Sequence, residues 1–337
     1  MGIQDKDQAG KTYKWAVDTP RKRFSTPYNL IEGLQWILHN VIRPSRKFWK
    51  LTKFIPQKVV LNKISPQIKL GFVGDIMRTE GKKLTFAPEV IAFFKDVDFL
   101  IGNFEGTITR KETKIFAAQV HSKNILASLE KLFPPERFVL TFANNHAGDF
   151  GWSEFNKSYQ MVKEYGFKTI GRRDEPSILL NNQVNIVNCT AWSNQPDTPY
   201  IAYLRDSNAY LNPRSKFNIL YPHWGYEMQL YPNPKQIKLA KTLLKRWDMI
   251  IGHHSHCPQP ITAYEVERET KLVAYSLGDF CISIRYKKYF WGIVVKVELG
   301  PADGKWKVGS VEWKFTKVYE IDKNTLEIRL KKRCKYF

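Results

Sequence analysis

The chain has 337 residues with 43% hydrophobic and 14% aromatic content, enough for a packed core, so wholesale disorder is excluded. Lys and Arg number 53 against 32 Asp and Glu, a net charge of +21 that suits anionic partners. No apolar run reaches the roughly 18–20 residues of a membrane span. The polar start Met1-Gly2-Ile3-Gln4-Asp5 has no apolar stretch of secretory type. Cys189, Cys257, Cys281 and Cys334 show no paired spacing, which excludes a disulfide scaffold and a Cys-type zinc site. A cytoplasmic protein, peripheral to a membrane at most, is the expectation.

Residues 1–66 hold 13 Lys/Arg against 4 Asp/Glu and read as a basic arm. One amphipathic helix is expected in it. Thr26-Pro27 can open it, Leu30, Ile31, Leu34, Ile37, Leu38 and Val41 follow helical spacing, and Pro44 closes it. The next residues, Arg43 to Lys50, interleave cations with Phe48 and Trp49. Two readings stay open: a peripheral membrane or polyanion contact, and a helix packed on the main domain with a solvated flank.

Residues 67–337 read as one α/β domain in which strand and helix patterns alternate. Strands are expected at 68–73, 99–102, 138–142, 168–170, 184–189, 217–221, 249–252, 272–276 and 291–299, with further strands near 307–315 and 326–330. Helices are expected at 86–94, 125–132, 152–165 and 234–244.

Five strands run into polar clusters: Asp75; Asn103 with Glu105; Asn145 with His146; His223; and His253 to His256. Of seven histidines, five (His146, His223, His253, His254, His256) fall in these clusters. Ligand crevices of open α/β sheets lie at the carboxyl ends of strands, so these residues are expected to converge. Asp, Glu, Asn and His suit borderline divalent ions such as Mn, Zn, Fe, Co or Ni. Sites holding one or two such ions activate water for attack on phosphorus or an acyl carbon. Strand alternation would turn His254 and His256 to one side and His253 to the other, or into a supporting role.

The order Gly-Asp, Asn-Phe-Glu-Gly, Ala-Asn-Asn-His-Ala-x-Asp-x-Gly, His-Trp-Gly-x-Glu, Gly-His-His-x-His and Tyr-Ser-Leu-Gly-Asp-Phe resembles the CapA family. That family is linked to bacterial poly-γ-glutamate capsule synthesis and belongs to the calcineurin-like metallophosphatase superfamily. The resemblance runs from about Ile68 to Phe280. It implies a layered β-sheet sandwich flanked by helices. It implies metal ligands at Asp75, Glu105, Asn145, His223, His254 and His256. His146 would be the catalytic histidine that assists the leaving group, and Asn103, His253 and Glu227 would support the site or touch substrate. Asn103 stands where the wider superfamily bridges two ions with Asp, so Glu105 is expected to take the bridging role. Met77 stands where the phosphatases have a histidine ligand, leaving the first site one imidazole short. Capsule-type members commonly carry an N-terminal membrane anchor, and no such stretch is found in these residues.

Three functions remain compatible with these residues. The first is a metal-dependent hydrolase-like enzyme acting on a phosphoester or an anionic peptide such as polyglutamate. The second is a metal-dependent lyase or peptide epimerase on the same scaffold. The third is a non-catalytic accessory subunit that binds an anionic polymer at a membrane surface. No nucleic-acid recognition motif is present, so nucleic acid is not among the expected partners.

Overall fold

The computed structural model describes residues 13–17, 26–112, 118–195, 198–284 and 287–337. In chain order the strands are β1 (Lys58–Val60), β2 (Ile68–Ile76), β3 (Lys83–Phe86), β4 (Phe99–Phe104), β5 (Thr107–Ile108) and β6 (Val120–His121). Then come β7 (Phe138–Thr141), β8 (Lys168–Ile170), β9 (Ser177–Leu180), β10 (Val184–Thr190), β11 (Phe217–His223) and β12 (Met249–Ile251). The last are β13 (Ile261–Val266), β14 (Glu269–Ala274), β15 (Asp279–Cys281), β16 (Trp291–Ala302), β17 (Lys305–Asp322) and β18 (Thr325–Lys331). The helices are α1 (Leu30–Val41), α2 (Pro88–Phe94), α3 (Asn124–Glu130), α4 (Gly151–Glu164) and α5 (Pro234–Leu243). None of the described helices is long and apolar enough to cross a membrane.

Two large sheets form. The first has the order β3-β18-β17-β16-β2-β4-β7-β8, with β1 also on β17 and β15 also on β2. The second has the order β13-β14-β12-β11-β10-β9. Side-chain alternation explains how they stack. Leu70 and Phe72 of β2, Ile101 of β4 and Val139 of β7 share one core with Ile219 and Tyr221 of β11 and Met249 and Ile251 of β12. Their strand neighbours Val73, Leu100, Leu140, Leu220 and Ile250 point the other way. They pack in a second core with Val90 and Phe94 of α2, Leu126 and Leu129 of α3, Phe155 and Tyr159 of α4 and Ala240 of α5. The result is the expected β-sandwich with helices outside. Because both faces of the central strands are buried, they read as continuous apolar runs.

The expected strand at 168–170 has those limits, and several others extend by one to three residues. The differences have local causes. Phe86 ends β3 instead of opening a helix, and α2 starts with Pro88 in its first turn. The β13–β14 hairpin is polar-rich, with Glu265 exposed and Glu269 to Lys271 half-buried, so its first strand gave little apolar signal. Helix α1 starts at Leu30 rather than at Thr26. Asn29 caps it through a reciprocal pair with Glu32: the Glu32 N–H donates to Asn29 Oδ1 (2.9 Å) and the Asn29 N–H to Glu32 Oε2 (3.0 Å). Parts of the basic arm lie on the domain. Ala16 is buried in the core, and β1 pairs antiparallel with β17. Much of the rest of residues 1–25 lies outside the described residues.

Candidate metal centre

Strands β2, β4 and β7 run parallel in one sheet, and β11 and β12 run parallel in the other. Their carboxyl ends therefore meet at one edge of the sandwich. Asp75 lies near the end of β2, beside Asn103 of β4 and Asp279 of β15 in register. The close approach of β2 to the 277–279 turn depends on Gly74. A Cβ there would lie 1.9 Å from the Gly278 carbonyl oxygen. That carbonyl accepts the Asp75 N–H at 2.9 Å.

Asp75 is fully buried. Its Oδ1 accepts from Asn103 Nδ2 (2.8 Å) and lies 3.2 Å from His253 Nδ1, and its Oδ2 accepts the His254 N–H (2.9 Å). Burial works against its charge, but the hydrogen bonds of His253 and Asn103 and the charge of His256 outweigh it and hold the carboxyl below its ordinary pKa. Glu105, just past β4, is different. Burial and the facing Asp75 push its pKa well up. Its Oε2 accepts from Asn103 (3.2 Å), while its Oε1 is buried with no hydrogen-bond partner. Around Oε1 stand His146 Nε2 at 3.8 Å, His256 Nε2 at 3.9 Å and His223 Nε2 at 4.0 Å.

The histidines form a connected cluster. His223, ending β11, has Nε2 at 2.7 Å from Asn145 Oδ1 and 2.8 Å from His254 Nδ1, and its Nδ1 at 2.8 Å from His253 Nδ1. Burial, together with neighbouring imidazoles, holds the pKa of both His223 and His254 below the usual value. Both are thus neutral and able to offer a lone pair. His256 Nδ1 lies 2.8 Å from Asp279 Oδ1. Burial disfavours its charged form, but the Asp279 and Glu105 carboxylates overcome this and raise its pKa.

The alternation expected of residues 253–256 does not hold, because the segment is not a strand. His254 and His256 have φ of 104° and 53°, so the chain turns at each. His253 consequently points into the cluster, against Asp75 and His223, rather than away from it. Glu227 stands with His254 and His256, each offering a ligand atom within 4.8 Å of the others. Its Oε2 accepts from Trp36 Nε1 of α1 (2.7 Å). Met77 is buried in the core and lines the cavity beside this site.

His146 follows β7 and keeps an edge exposed to a cavity of about 440 Å³, shared with His256, Glu227 and Arg78. Its Nδ1 lies 2.7 Å from Asp149 Oδ2. Asp149 and Asp279 are two site residues to which sequence reasoning gave no role. Both lay inside the motifs that drew attention. Asp149 stands three residues after His146, and Gly278-Asp279 repeats Gly74-Asp75, the pair that it faces.

The donor set fits a divalent cation. Overlapping groups of three draw on Asp75, Glu105, Glu227, Asp279, His223, His253, His254 and His256. Four buried atoms of these residues have no hydrogen-bond partner: Glu105 Oε1, His253 Nε2, His254 Nε2 and Asp279 Oδ2. Orphaned polar atoms at this density carry a desolvation cost that a cation would relieve. Mixed imidazole and carboxylate donors suit Zn, Mn, Fe, Co or Ni.

Residues 69–283 match the family model described as bacterial capsule synthesis protein PGA_cap. The chain is similar to the PGA biosynthesis protein CapA of Bacillus subtilis, 27% identical over 63% of this chain and 63% of that protein. It is also similar to the capsule biosynthesis protein CapA of Bacillus anthracis, 26% identical over 66% of this chain and 60% of that protein. The match thus spans less than two thirds of either relative's length. Among solved structures, the calcineurin-like phosphoesterase YfkN from Bacillus subtilis aligns over 75% of this chain and 91% of that chain, at 12% identity and a TM-score of 0.39. The matched segment runs from β2 to Ser283 and so includes every residue of the cluster, Asp75 to Asp279. This chain belongs to the bacterial capsule synthesis protein PGA_cap family.

Proposed function

We propose that this chain is a metal-dependent, hydrolase-like enzyme of capsule or cell-surface polymer synthesis, acting on a phosphoester or on an anionic γ-glutamyl peptide. The observation that carries the reading is Glu105 Oε1, buried, unpartnered and ringed by three imidazole nitrogens at 3.8–4.0 Å. Asp75, Glu105, Asn145, His223, His254 and His256 would hold the ion or ions, with His253, Asp279 and Glu227 beside them. Bound there, a divalent ion supplies Lewis acidity toward water and toward substrate oxygens.

The chain's own residues do the rest. Asp149 accepts from His146 Nδ1–H and so fixes the ring and its tautomer, leaving Nε2 3.8 Å from Glu105 Oε1 in a ring that lines the cavity. In that tautomer Nε2 carries the lone pair: it can take a proton from water and, as an imidazolium paired with Asp149, pass it to a leaving oxygen or nitrogen. Asn103 donates to both Asp75 and Glu105 and keeps the two carboxylates apart. Arg78 lines the same cavity, and among the described residues its guanidinium has no carboxylate partner. A free guanidinium suits a phosphate or carboxylate on the substrate.

The test is metal analysis of the purified protein, then assays with phosphoesters and γ-glutamyl peptides. Bound metal with phosphate or glutamate release supports the reading. Failure to bind any of the five candidate metals after reconstitution overturns it. Deuterium uptake from heavy water into a peptide, without cleavage, would replace hydrolysis by epimerisation.

A further inference from the structure

Helix α1 is mounted with its polar side inward. The residues turned toward the protein are the half-buried Glu32, Gly33, Trp36, His39 and Asn40. Polar contacts hold them. Trp36 Nε1 donates to Glu227 Oε2 (2.7 Å), the Tyr226 hydroxyl donates to Glu32 Oε1 (3.1 Å), and Lys288 Nζ donates to the His39 carbonyl (3.2 Å). The apolar residues stay exposed, and no residue of α1 is buried; Leu30, Leu34 and Ile37 rim a cavity shared with Trp192, and Ile37 and Val41 rim the one beside His146. Leu30 is 82% exposed, Ile31 68% and Leu34 61%. A helix that packs on its own domain turns its apolar stripe to the core. This one presents the stripe to the surroundings, and a surface of that kind marks an interaction site.

The segment after the helix indicates the partner. Arg43, Arg46, Lys47 and Lys50 are exposed, and so are Trp49 at 56% and Leu51 at 50%. Leu38 and Lys47 line one cavity, so the basic segment lies against the helix. An apolar stripe, an exposed tryptophan and a cationic flank are the chemistry of a helix lying in the plane of an anionic bilayer. A second copy of this +21 chain would bring like charges to the contact, whereas anionic lipid neutralises them.

We propose that α1 and residues 43–50 form a docking surface for an anionic lipid bilayer. Trp36, Ile37 and Val41 also line the cavity that holds His146 and His256. Docking would therefore set the mouth of the metal centre at the lipid surface. Docking of this kind does not depend on whether the centre is hydrolytic.

The experiment is co-sedimentation of the full chain with vesicles of phosphatidylcholine alone and of phosphatidylcholine with phosphatidylglycerol. Binding is expected only to the second and is weakened by salt. Lys47→Gln and Lys50→Gln should each lower partitioning roughly fivefold. The double variant Leu30→Gln/Leu34→Gln should lower it about tenfold or more without changing thermal stability, because both side chains are solvent-facing. No binding to either vesicle overturns the proposal, as does binding that the leucine variant leaves unchanged. A dimer in light scattering that the leucine variant dissolves would assign the stripe to a second copy and also overturn it.

Discussion

His146 Nδ1 and Asp149 Oδ2 stand 2.7 Å apart at the edge of the buried histidine–carboxylate cluster. The same Asp149 oxygen accepts the Gln119 N–H at 3.0 Å, so the carboxylate is fixed independently of the ring. Asp149→Asn would keep the shape and lose the charge that orients the imidazole. The expected outcome is a fall in kcat of about 10²–10⁴, the usual worth of a positioned acid, with KM and metal content near wild type. Steady-state kinetics beside metal analysis checks this. A loss of metal equal to the loss of rate would make Asp149 a structural support of the cluster instead.

Glu105→Gln should separate stability from metal binding. The Glu105 carboxylate is buried opposite Asp75, and both burial and that charge oppose its ionisation. Without metal, the neutral amide removes the conflict, and the variant should be more stable than wild type by about 1–3 kcal/mol. With metal the order should reverse, because ligation stabilises only the form that binds. Thermal melts with and without the ion decide this. A metal-free variant less stable than wild type would contradict it.

Gly74→Ala is expected to damage both fold and site. The new methyl would meet backbone, not a movable side chain, at 1.9 Å from the Gly278 oxygen. β2 and the 277–279 turn would have to separate, and Asp75 would leave Asp279. A loss of about 3 kcal/mol or more is expected, together with weaker metal binding. Gly81→Ala is the natural contrast. Its Cβ has open space, so its cost comes only from its φ of 77°.

His121 links pH to stability. Burial lowers its pKa to about 4, and its Nε2 lies 3.1 Å from the Glu105 carbonyl oxygen. In the unfolded chain the ring titrates near 6.5. Between these values the unfolded chain takes up a proton that the folded one refuses. Stability is therefore complete above about pH 6.5 and falls as pH drops toward about 4, by about 3 kcal/mol at most. His121→Gln should flatten that part of the profile in denaturant titrations. An unchanged acid slope would assign the loss to other groups.

Much of this was legible in the chain. Buried strands such as β2, β4, β7 and β11 appear as short apolar runs, and their polar ends announced the cluster. Other parts were not. The turn through His253–His256 depends on two positive φ values that nothing in Gly-His-His-x-His reports. Asp279 becomes a neighbour of Asp75 only through the pairing of β15 with β2, a contact 204 residues apart in sequence. The apolar period of α1 was plain, but periodicity shows that a stripe exists and not which way it faces.

Strand β2 is hydrogen-bonded to β4 on one edge and, on the other, to β16. The second neighbour is synthesised some 220 residues later. On the ribosome, the strand bearing Asp75 waits with an open edge through most of translation, and Asp279 is also still to come. The cluster, with any ion it holds, would then be completed late, after Trp291–Ala302 has emerged and closed the sheet.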